Sequence, residues 1–419
     1  MPEPPVKNNP GEPYRSHLFT VRMWLEQLGR GGTEWRGKVQ HVLTGQTRYF
    51  RDWQTLVQFI QTTLPKTLDD KQPTPFFGKE QSERKTSMIL VVGATGQLGT
   101  AIVRKLVQAN KPVRAFVRPT SDHQHLKNLG VELALGDLRD AKSVEQACRN
   151  IDVVIATANA VIPRKGDTFA SVEGEGYRNL IAACQQQKVR QFIFASVPIT
   201  PIDEQVAALH YKRLTEKRLQ ESGLDYTIVR LSVFMDAWLA LIGSNIPIRG
   251  AESPTVVRPF WFSQMYMRMV GGLIENRGIA VLAGNGKARH AFITVDDAAR
   301  FMVGCVNDPA ARCATFHVGG PEVMSWNEAV ALFGQVLGRK VTPIHAPAAI
   351  FRINQTLFKP FAEGPANIFG MNWMCGTFDS AYPPTDAYRI LQSPMMTMKD
   401  FLTRKVKLAH AQIFNHVSP

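Results

Sequence analysis

The hydrophobic pattern is most regular in the middle of the chain, where short apolar runs alternate with segments of helical periodicity. Met88 to Val92 is an apolar run that ends in a glycine-rich turn, and from Thr100 to Gln108 the apolar residues recur on one helical face. The short run predicts a buried strand, and the recurrence predicts an amphipathic helix. Further strands are predicted at 112–117, 131–138, 152–158 and 191–196. This alternation predicts an α/β fold with a doubly wound parallel sheet.

The turn after the first predicted strand carries Gly93, Gly96 and Gly99 in the spacing G-x-x-G-x-x-G. We expect Gly93 to allow the tight turn, Gly96 to let the backbone approach a phosphate, and Gly99 to let the helix lie close to the strand. The N-terminus of such a helix presents unpaired N–H groups and a positive dipole to a pyrophosphate. The pattern therefore predicts a Rossmann-type dinucleotide site. Its predicted residues in this turn are Gly93, Thr95, Gly96, Gln97, Leu98 and Gly99.

A different pattern precedes this domain. Residues 15–63 contain three predicted strands and a helix that begins after Asp52, a favourable N-cap residue. This pattern predicts an extra small domain with the order β-β-β-α. Its expected core consists of Trp24, Trp35, Tyr49, Phe50 and Trp53. The alternative is that these aromatic side chains and the nearby basic residues form a nucleic-acid platform.

Composition shifts set the predicted domain boundaries. They are a disordered tail over 1–14, the small domain over 15–63, a linker over 64–87, the large α/β domain over 88–405 and a tail over 406–419. Within the large domain, residues of about 231–290 and 322–405 are expected to build a small substrate region.

The composition is that of a soluble globular protein, with 44% hydrophobic and 20% charged residues among 419. The five cysteines show no C-x-x-C spacing, which favours a reducing compartment and predicts no metal site. The N-terminus lacks the features of a signal peptide, and no apolar run reaches about 18 residues. We therefore expect a cytoplasmic protein without a transmembrane segment.

The formal net charge of +14 has two interpretations. A basic protein can bind nucleic acid or an anionic surface, and it can also bind a ligand that carries several phosphates. The Lys and Arg residues are dispersed, with no run of five. Nucleic acid is therefore the less favoured partner.

Several residues at the ends of predicted strands have the chemistry to recognise a dinucleotide. Arg118 follows the second strand, where an acidic residue would favour NAD, so a guanidinium there favours NADP(H) while leaving NAD(H) possible. The alternative is an exposed surface arginine. Asp137 and Leu138 are expected to contact the adenine, unless Asp137 only caps the following turn. Ala156 and Ala158 are small enough to leave room for the cofactor.

Several motifs together resemble the atypical short-chain dehydrogenase/reductase superfamily, and within it the NmrA-like or isoflavone-reductase-like group. The resemblance covers about residues 88–405 and leaves 15–63 outside. The motifs are Gly93-Ala94-Thr95-Gly96-Gln97-Leu98-Gly99, Val117-Arg118-Pro119, Gly136-Asp137-Leu138, Phe194-Ala195-Ser196, residues 224–230, residues 290–299 and residues 316–321 with Ser325-Trp326-Asn327-Glu328. The set is typical of the superfamily, but it does not specify one reaction.

The resemblance implies roles for Lys212 and Ser196. In the epimerase-like members a Tyr-x-x-x-Lys pair supplies the acid, and here the tyrosine position is Ala208. Reductases of the isoflavone type also lack that tyrosine, which implies that Lys212 holds the nicotinamide ribose and relays a proton. The alternative is a surface pair between Lys212 and Glu216. Ser196 is expected either to contact substrate or only to end its strand.

The segment 257–270 is rich in aromatic and methionine residues. It is interpreted as a helix or lid packed on the core, a lid over an apolar substrate, or a patch that docks on a membrane surface or partner. The expected function is that of an NAD(P)H-dependent reductase acting on a small apolar or aromatic carbonyl, enone or quinone. The alternative is a non-catalytic NADP(H)-dependent redox sensor, regulator or assembly factor with a protein partner bound through 15–63.

Overall fold

The chain divides into two compact units, Met1–Ser82 and Glu83–Pro419. The computed structural model describes residues 18–28, 32–63, 87–164, 166–249, 260–391 and 393–415. The predicted tail over 1–14 lies outside the described residues, and so does the predicted linker apart from Ser87.

The small unit is a three-stranded antiparallel sheet followed by one helix. Its elements are β1 (Phe19–Leu28), β2 (Gly32–His41), β3 (Thr47–Phe50) and α1 (Trp53–Thr63). β2 is the central strand. Asp52 precedes the helix, and its carboxylate accepts a hydrogen bond from Thr55 N at 2.7 Å. This bond satisfies one of the N–H groups left open in the first turn. The element order is the predicted β-β-β-α.

The core of the small unit differs from the predicted one. It consists of Val39, Phe50, Leu56 and Phe59. The prediction was right for Phe50 and wrong for Trp35, Tyr49 and Trp53, whose side chains are each more than half exposed. Tyr49 precedes Phe50 in β3, so its side chain points to the opposite face of the sheet. There it meets the half-buried Trp24 edge to face, with ring centroids 6.4 Å apart.

The large unit contains the other described elements. They are β4 (Ile89–Val92), α2 (Gln97–Gln108), β5 (Val113–Val117), α3 (Gln124–Asn128), β6 (Glu132–Leu135), α4 (Ala141–Cys148), β7 (Val153–Ala156), α5 (Tyr177–Gln186), β8 (Gln191–Ser196), α6 (Ala207–Glu221), β9 (Asp225–Leu231), α7 (Met235–Leu241), α8 (Trp261–Val270), α9 (Leu273–Arg277), β10 (Ile279–Ala283), β11 (Arg289–His290), α10 (Val295–Gly304), β12 (Ala314–Val318), β13 (Met324–Ser325), α11 (Trp326–Leu337), β14 (Thr342–Ala346), α12 (Ala348–Phe358), α13 (Glu363–Thr377), α14 (Thr385–Ile390) and α15 (Met398–Asn415). The last helix continues past residue 406, where the sequence pattern predicted a tail.

Seven strands of this unit form one parallel sheet in the order β12-β9-β8-β7-β4-β5-β6. The order reverses on either side of β4, which confirms the predicted Rossmann-type, doubly wound α/β fold. In β4, Ile89 and Val91 face one core while Leu90 and Val92 face another. Because helices cover both faces, the strand is apolar at every position.

A third core lies in the C-terminal part of the unit, where α7, α11, α13 and α15 pack around β10. A capping box starts α11, since Ser325 Oγ accepts from Glu328 N and the Glu328 carboxylate accepts from Ser325 N. Among the described helices, none has the length and hydropathy needed to cross a membrane. The part of the chain that the structure describes contains no cluster of three or more His, Cys, Asp or Glu side chains suited to a metal ion.

His290 is in β11 and is buried beside this third core, against the rings of Phe292 and Trp326. Its Nε2 lies 2.8 Å from the Cys375 carbonyl oxygen and its Nδ1 lies 2.8 Å from Ser380 Oγ. A carbonyl only accepts, so Nε2 carries the proton of the neutral ring and Nδ1 accepts from Ser380. Burial lowers the pKa of His290 to about 4, and the hydrogen bond to Cys375 opposes this shift only in part. The ring is therefore neutral in the folded protein at neutral pH.

This burial predicts a pH dependence of stability. In the unfolded chain His290 gains a proton below about pH 6.5, whereas in the folded chain it stays neutral down to about pH 4, so the free energy of unfolding falls by about 3 kcal/mol across that window. We expect His290→Gln to be less stable at pH 7 and to lose less stability on acidification. Urea unfolding of the full-length protein at several pH values measures how the free energy of unfolding of the large unit changes with pH in the wild type and in the variant. His345→Gln, at an exposed position, is the matched control and should follow the wild type. Parallel curves for wild type and His290→Gln would contradict the assignment.

Candidate cofactor and substrate cavities

The glycine turn joins β4 to α2 at the centre of the sheet. Gly93 has a φ of +86°, and a Cβ there would lie 2.6 Å from Ala158 N. A Cβ on Gly99 would collide with the carbonyl oxygen of Gly93. Gly93 and Gly99 therefore meet the requirements predicted for them. Gly96 is the N-cap of α2, with extended backbone and no side-chain cap, and its N–H donates to Gly93 O at 2.9 Å.

A cavity of about 280 Å³ opens beside this turn at the carboxyl ends of the strands. It brings together all but one of the predicted site residues. Those that line it are Gly93, Thr95, Gly96, Gln97, Leu98, Gly99, Arg118, Asp137, Leu138, Ala158, Ser196 and Lys212. Ala156 is not in the lining, because it is the last residue of β7 and is fully buried in the core.

The predicted adenine end of the cavity holds a network of ion pairs. Arg118 Nη1 donates to both carboxylate oxygens of Asp167, at 2.9 and 2.8 Å. Arg118 is therefore fixed by a partner, not extended into solvent. Asp137 accepts from Arg139 through both oxygens, at 2.9 and 2.8 Å. Burial alone would raise the pKa of Asp137, but the hydrogen bonds from Arg139 outweigh it and hold that pKa below its ordinary value.

Arg164 lines the same cavity and was missed by sequence reasoning. Its Nη1 donates to Ser121 Oγ at 2.9 Å, and its backbone N–H donates to Asp167 at 3.1 Å. Burial lowers the pKa of Arg164, and the nearby positive charge of Arg118 lowers it further. The negative charges of Asp167 and Asp137 act in the opposite direction and offset part of this repulsion. The only sequence signal was a basic residue in a loop without periodicity.

Lys212 is on α6 at the other end of the cavity, and only 6% of the residue is exposed. Its Nζ lies 3.2 Å from Glu173 Oε2 and 4.7 Å from the centre of the Phe194 ring. Glu173 is equally buried and accepts from Ala160 N at 3.1 Å. The alternative of a surface pair between Lys212 and Glu216 is wrong, because both residues are buried and each has other partners.

Glu173 was not predicted as a site residue. It lies in a π-helical turn at Ala170–Gly176, an irregularity that is frequent at functional sites. The turn places the Glu173 carboxylate beneath the cavity, where it compensates the buried ammonium of Lys212. Since an unpaired buried charge is strongly unfavourable, the two residues depend on each other.

Ser196 is the last residue of β8, and it lines the cavity. Its Oγ donates to Glu216 at 2.5 Å and accepts from Arg213 at 3.1 Å. The Glu216 carboxylate is also paired with Arg230 at 2.7 Å. With its proton directed to Glu216, the hydroxyl can accept a hydrogen bond from a ligand. Ala208 is buried at the position implied for the family tyrosine.

A second cavity of about 280 Å³ adjoins the first and is almost entirely apolar. The two share Ser196, Asn159 and Phe234 in their linings. Its other walls include Trp238, Leu241, Phe262, Tyr266, Phe351 and Phe369. Of the predicted lid segment, 257–259 lie outside the described residues, and 260–270 contribute α8, which packs on the core and forms one wall.

The chain is similar in sequence and in fold to several known proteins. The chain is 29% identical to the photosystem II assembly factor Ycf39 of Synechocystis sp. over 276 residues, which cover 65% of this chain and 74% of that protein. It is 25% identical to the phenylcoumaran benzylic ether reductase TP7 of Nicotiana tabacum, over 62% of this chain and 78% of that protein.

The NADPH complex of the quinone oxidoreductase QOR2 from Escherichia coli superposes with a TM-score of 0.56 at 18% identity, over 78% of this chain and all of that one. The likeness shows a shared fold. A sequence model described as the NmrA-like family matches residues 85–383. The expected resemblance is thereby confirmed: this chain belongs to the NmrA-like family.

Proposed function

We propose that this protein is an NAD(P)H-binding oxidoreductase of the reductase type that acts on an apolar or aromatic carbonyl, enone or quinone. One observation carries the proposal. A cleft of mixed polar and apolar lining beside the glycine turn continues, through Ser196 and Asn159, into an apolar cavity of equal volume. A dinucleotide and an apolar substrate need such adjoining spaces, because the hydride must pass over a short distance.

The proposed cofactor is NADP(H), with NAD(H) as the weaker ligand. Arg118 and Arg164 both line the adenine end, and Ser121 adds a hydroxyl beside them. A 2′-phosphate would draw the two guanidinium groups together and receive charge-assisted hydrogen bonds. One relative is named as an NAD(P)H azoreductase, a name that is consistent with either nicotinamide cofactor.

The bound nicotinamide dinucleotide would supply the hydride. Lys212 would donate to the nicotinamide ribose and hold a proton at Nζ near the boundary of the two cavities. Glu173 would hold that ammonium in position, since the two groups lie 3.2 Å apart. Ser196 Oγ would accept from substrate, and the apolar walls around Phe262 and Trp238 would exclude water. With Ala208 in place of a tyrosine, no phenol serves as acid at that position.

A second candidate function is that of an NADP(H)-dependent regulator or assembly factor. Two observations favour it. The acid position holds Ala208, and the Ser196 proton is directed to Glu216. Family relatives named as photosystem II assembly factors fit this candidate as well. The protein partner would then be bound by the small unit, which exposes Val21 and Leu25 on β1.

Lys212→Met tests the reductase. The purified full-length protein is assayed for NADPH oxidation against a panel of quinones and aryl enones. We expect turnover by the wild type and a kcat about 100-fold lower for Lys212→Met. Lys217→Met, on the same helix at an exposed position, is the matched control and should keep wild-type turnover. Unchanged turnover by Lys212→Met would refute the proposed role of Lys212 in the reaction. Tight NADPH binding by the wild type without turnover of any panel member would favour the regulator or assembly factor.

Arg164→Ala tests the cofactor preference. Removing one of the two guanidinium groups should raise the Kd for NADPH about tenfold and leave the Kd for NADH unchanged, because only NADPH carries the 2′-phosphate. Calorimetric titration measures both constants. Arg178→Ala, at an exposed position on α5, should bind both cofactors as the wild type does. Equal losses for NADPH and NADH would remove the proposed contact.

A further inference from the structure

Helix α8 exposes a row of large apolar side chains. Trp261, Met265 and Met269 recur at four-residue intervals and are 58%, 44% and 68% exposed. The adjoining face of the helix carries Phe262 and Tyr266, which wall the apolar cavity. The helix is therefore apolar on two neighbouring faces, and only one of them is covered by the described residues.

Helix α12 and the residues after it repeat this arrangement. Ile350, Ile353 and Leu357 lie on one helical face and are 48%, 64% and 60% exposed, and Phe361 beyond the helix is 84% exposed. The inward face carries Phe351, which lines the same apolar cavity as α8. A soluble monomer rarely exposes this many large apolar groups in two adjacent rows without a partner for them.

The two rows belong to one region of the large unit. Phe262 of α8 and Phe358 of α12 both pack on Phe369, with ring centroids 5.4 and 5.6 Å apart. Trp261 and Phe361 line one open groove. We call α8, α12 and Phe361 the apolar rim.

The charged side chains of α8, α12 and the residues up to Phe361 are all cationic. They are Arg268, Arg352 and Lys359, all of them exposed. Acidic residues lie just outside the rim, since Asp122 and Glu363 line the groove beside Trp261 and Phe361. Exposed cations beside exposed Trp, Phe, Leu and Ile side chains complement an anionic lipid surface, where headgroups attract the cations and the acyl boundary accepts the apolar groups.

We propose that the apolar rim docks this protein on the surface of an anionic lipid bilayer. Trp261, Met265, Ile353, Leu357 and Phe361 enter the boundary between headgroups and acyl chains, while the nearby cations contact lipid phosphates. The contact is peripheral. A protein partner is the less favoured occupant, because the exposed charges carried by α8, α12 and Lys359 are all cationic and complement an anionic lipid surface.

The docking proposal goes beyond the proposed function and stands without it. A consequence for access rests on that function: α8 and α12 also wall the apolar cavity, so docking brings the substrate cavity close to the phase in which apolar carbonyls and quinones dissolve. Failure of docking would leave the reductase proposal intact, and failure of turnover would leave the docking proposal intact.

Vesicle sedimentation of the full-length protein tests the proposal. We expect binding to vesicles of phosphatidylcholine with about a third phosphatidylglycerol, and at least about tenfold weaker binding to phosphatidylcholine alone. The triple variant Ile353→Asn, Leu357→Gln, Phe361→Ser should bind the anionic vesicles at least about tenfold more weakly. Its thermal unfolding should match the wild type, because all three positions are exposed.

The matched control changes exposed apolar residues of the small unit, Val21→Thr with Leu25→Gln, and should bind as the wild type does. Brominated acyl chains in the anionic vesicles report insertion directly. The chain has seven tryptophans, and the part of the fluorescence quenched by bromine should disappear in Trp261→Phe. No sedimentation with anionic vesicles would overturn the proposal and leave the rim to a protein partner. Binding that persists in the triple variant, or that is lost in the small-unit control, would also overturn it.

Discussion

The large unit depends on the close approach of three backbone segments that meet at Gly93 and Gly99. The turn after β4, the residues just after β7 and the first turn of α2 converge there, and a Cβ at either glycine would overlap a backbone atom. This contact fixes the helix N-terminus beside the carboxyl edge of the sheet. Gly93, Gly96 and Gly99 all line the cavity along that edge. The turn proposed to bind phosphate is thus also the turn that the packing of backbone on backbone requires.

The far end of the cavity depends on charge compensation in a dry environment. Lys212 is buried against the Phe194 ring, and it is tolerated there because Glu173 lies 3.2 Å away. The Ser196, Glu216 and Arg213 group does the same at the carboxyl end of β8. Ser196 lines both cavities, so this group lies where the cleft meets the apolar cavity.

The fold was largely predictable, because buried parallel strands and amphipathic helices leave distinct periodicities. The glycine turn and Arg118 follow predicted strands at fixed distances, so the sequence could locate them, whereas Lys212 was indicated by the family resemblance. The prediction of buried residues failed in the small unit, where the burial of a side chain depends on which face of the sheet it occupies and on what covers that face. Tyr49 and Trp35 are aromatic and lie in strands, yet Tyr49 points away from the core of the small unit and Trp35 is more than half exposed. Arg164 and Glu173 lie in an irregular loop and a π-helical turn, and their partners are distant in sequence, so no local pattern indicated them.

We propose that the cleft beside the glycine turn binds a nicotinamide dinucleotide, and the variant Gly96→Val tests this binding. Gly96 lines the cavity with φ −79° and ψ 165°, a conformation open to valine, so the variant should fold normally while its side chain obstructs the phosphate path. Calorimetric titration with NADPH should give a single site in the wild type and at least about tenfold weaker binding in the variant, with unchanged thermal unfolding. An absence of binding by the wild type, or equal binding by both proteins, would contradict the account.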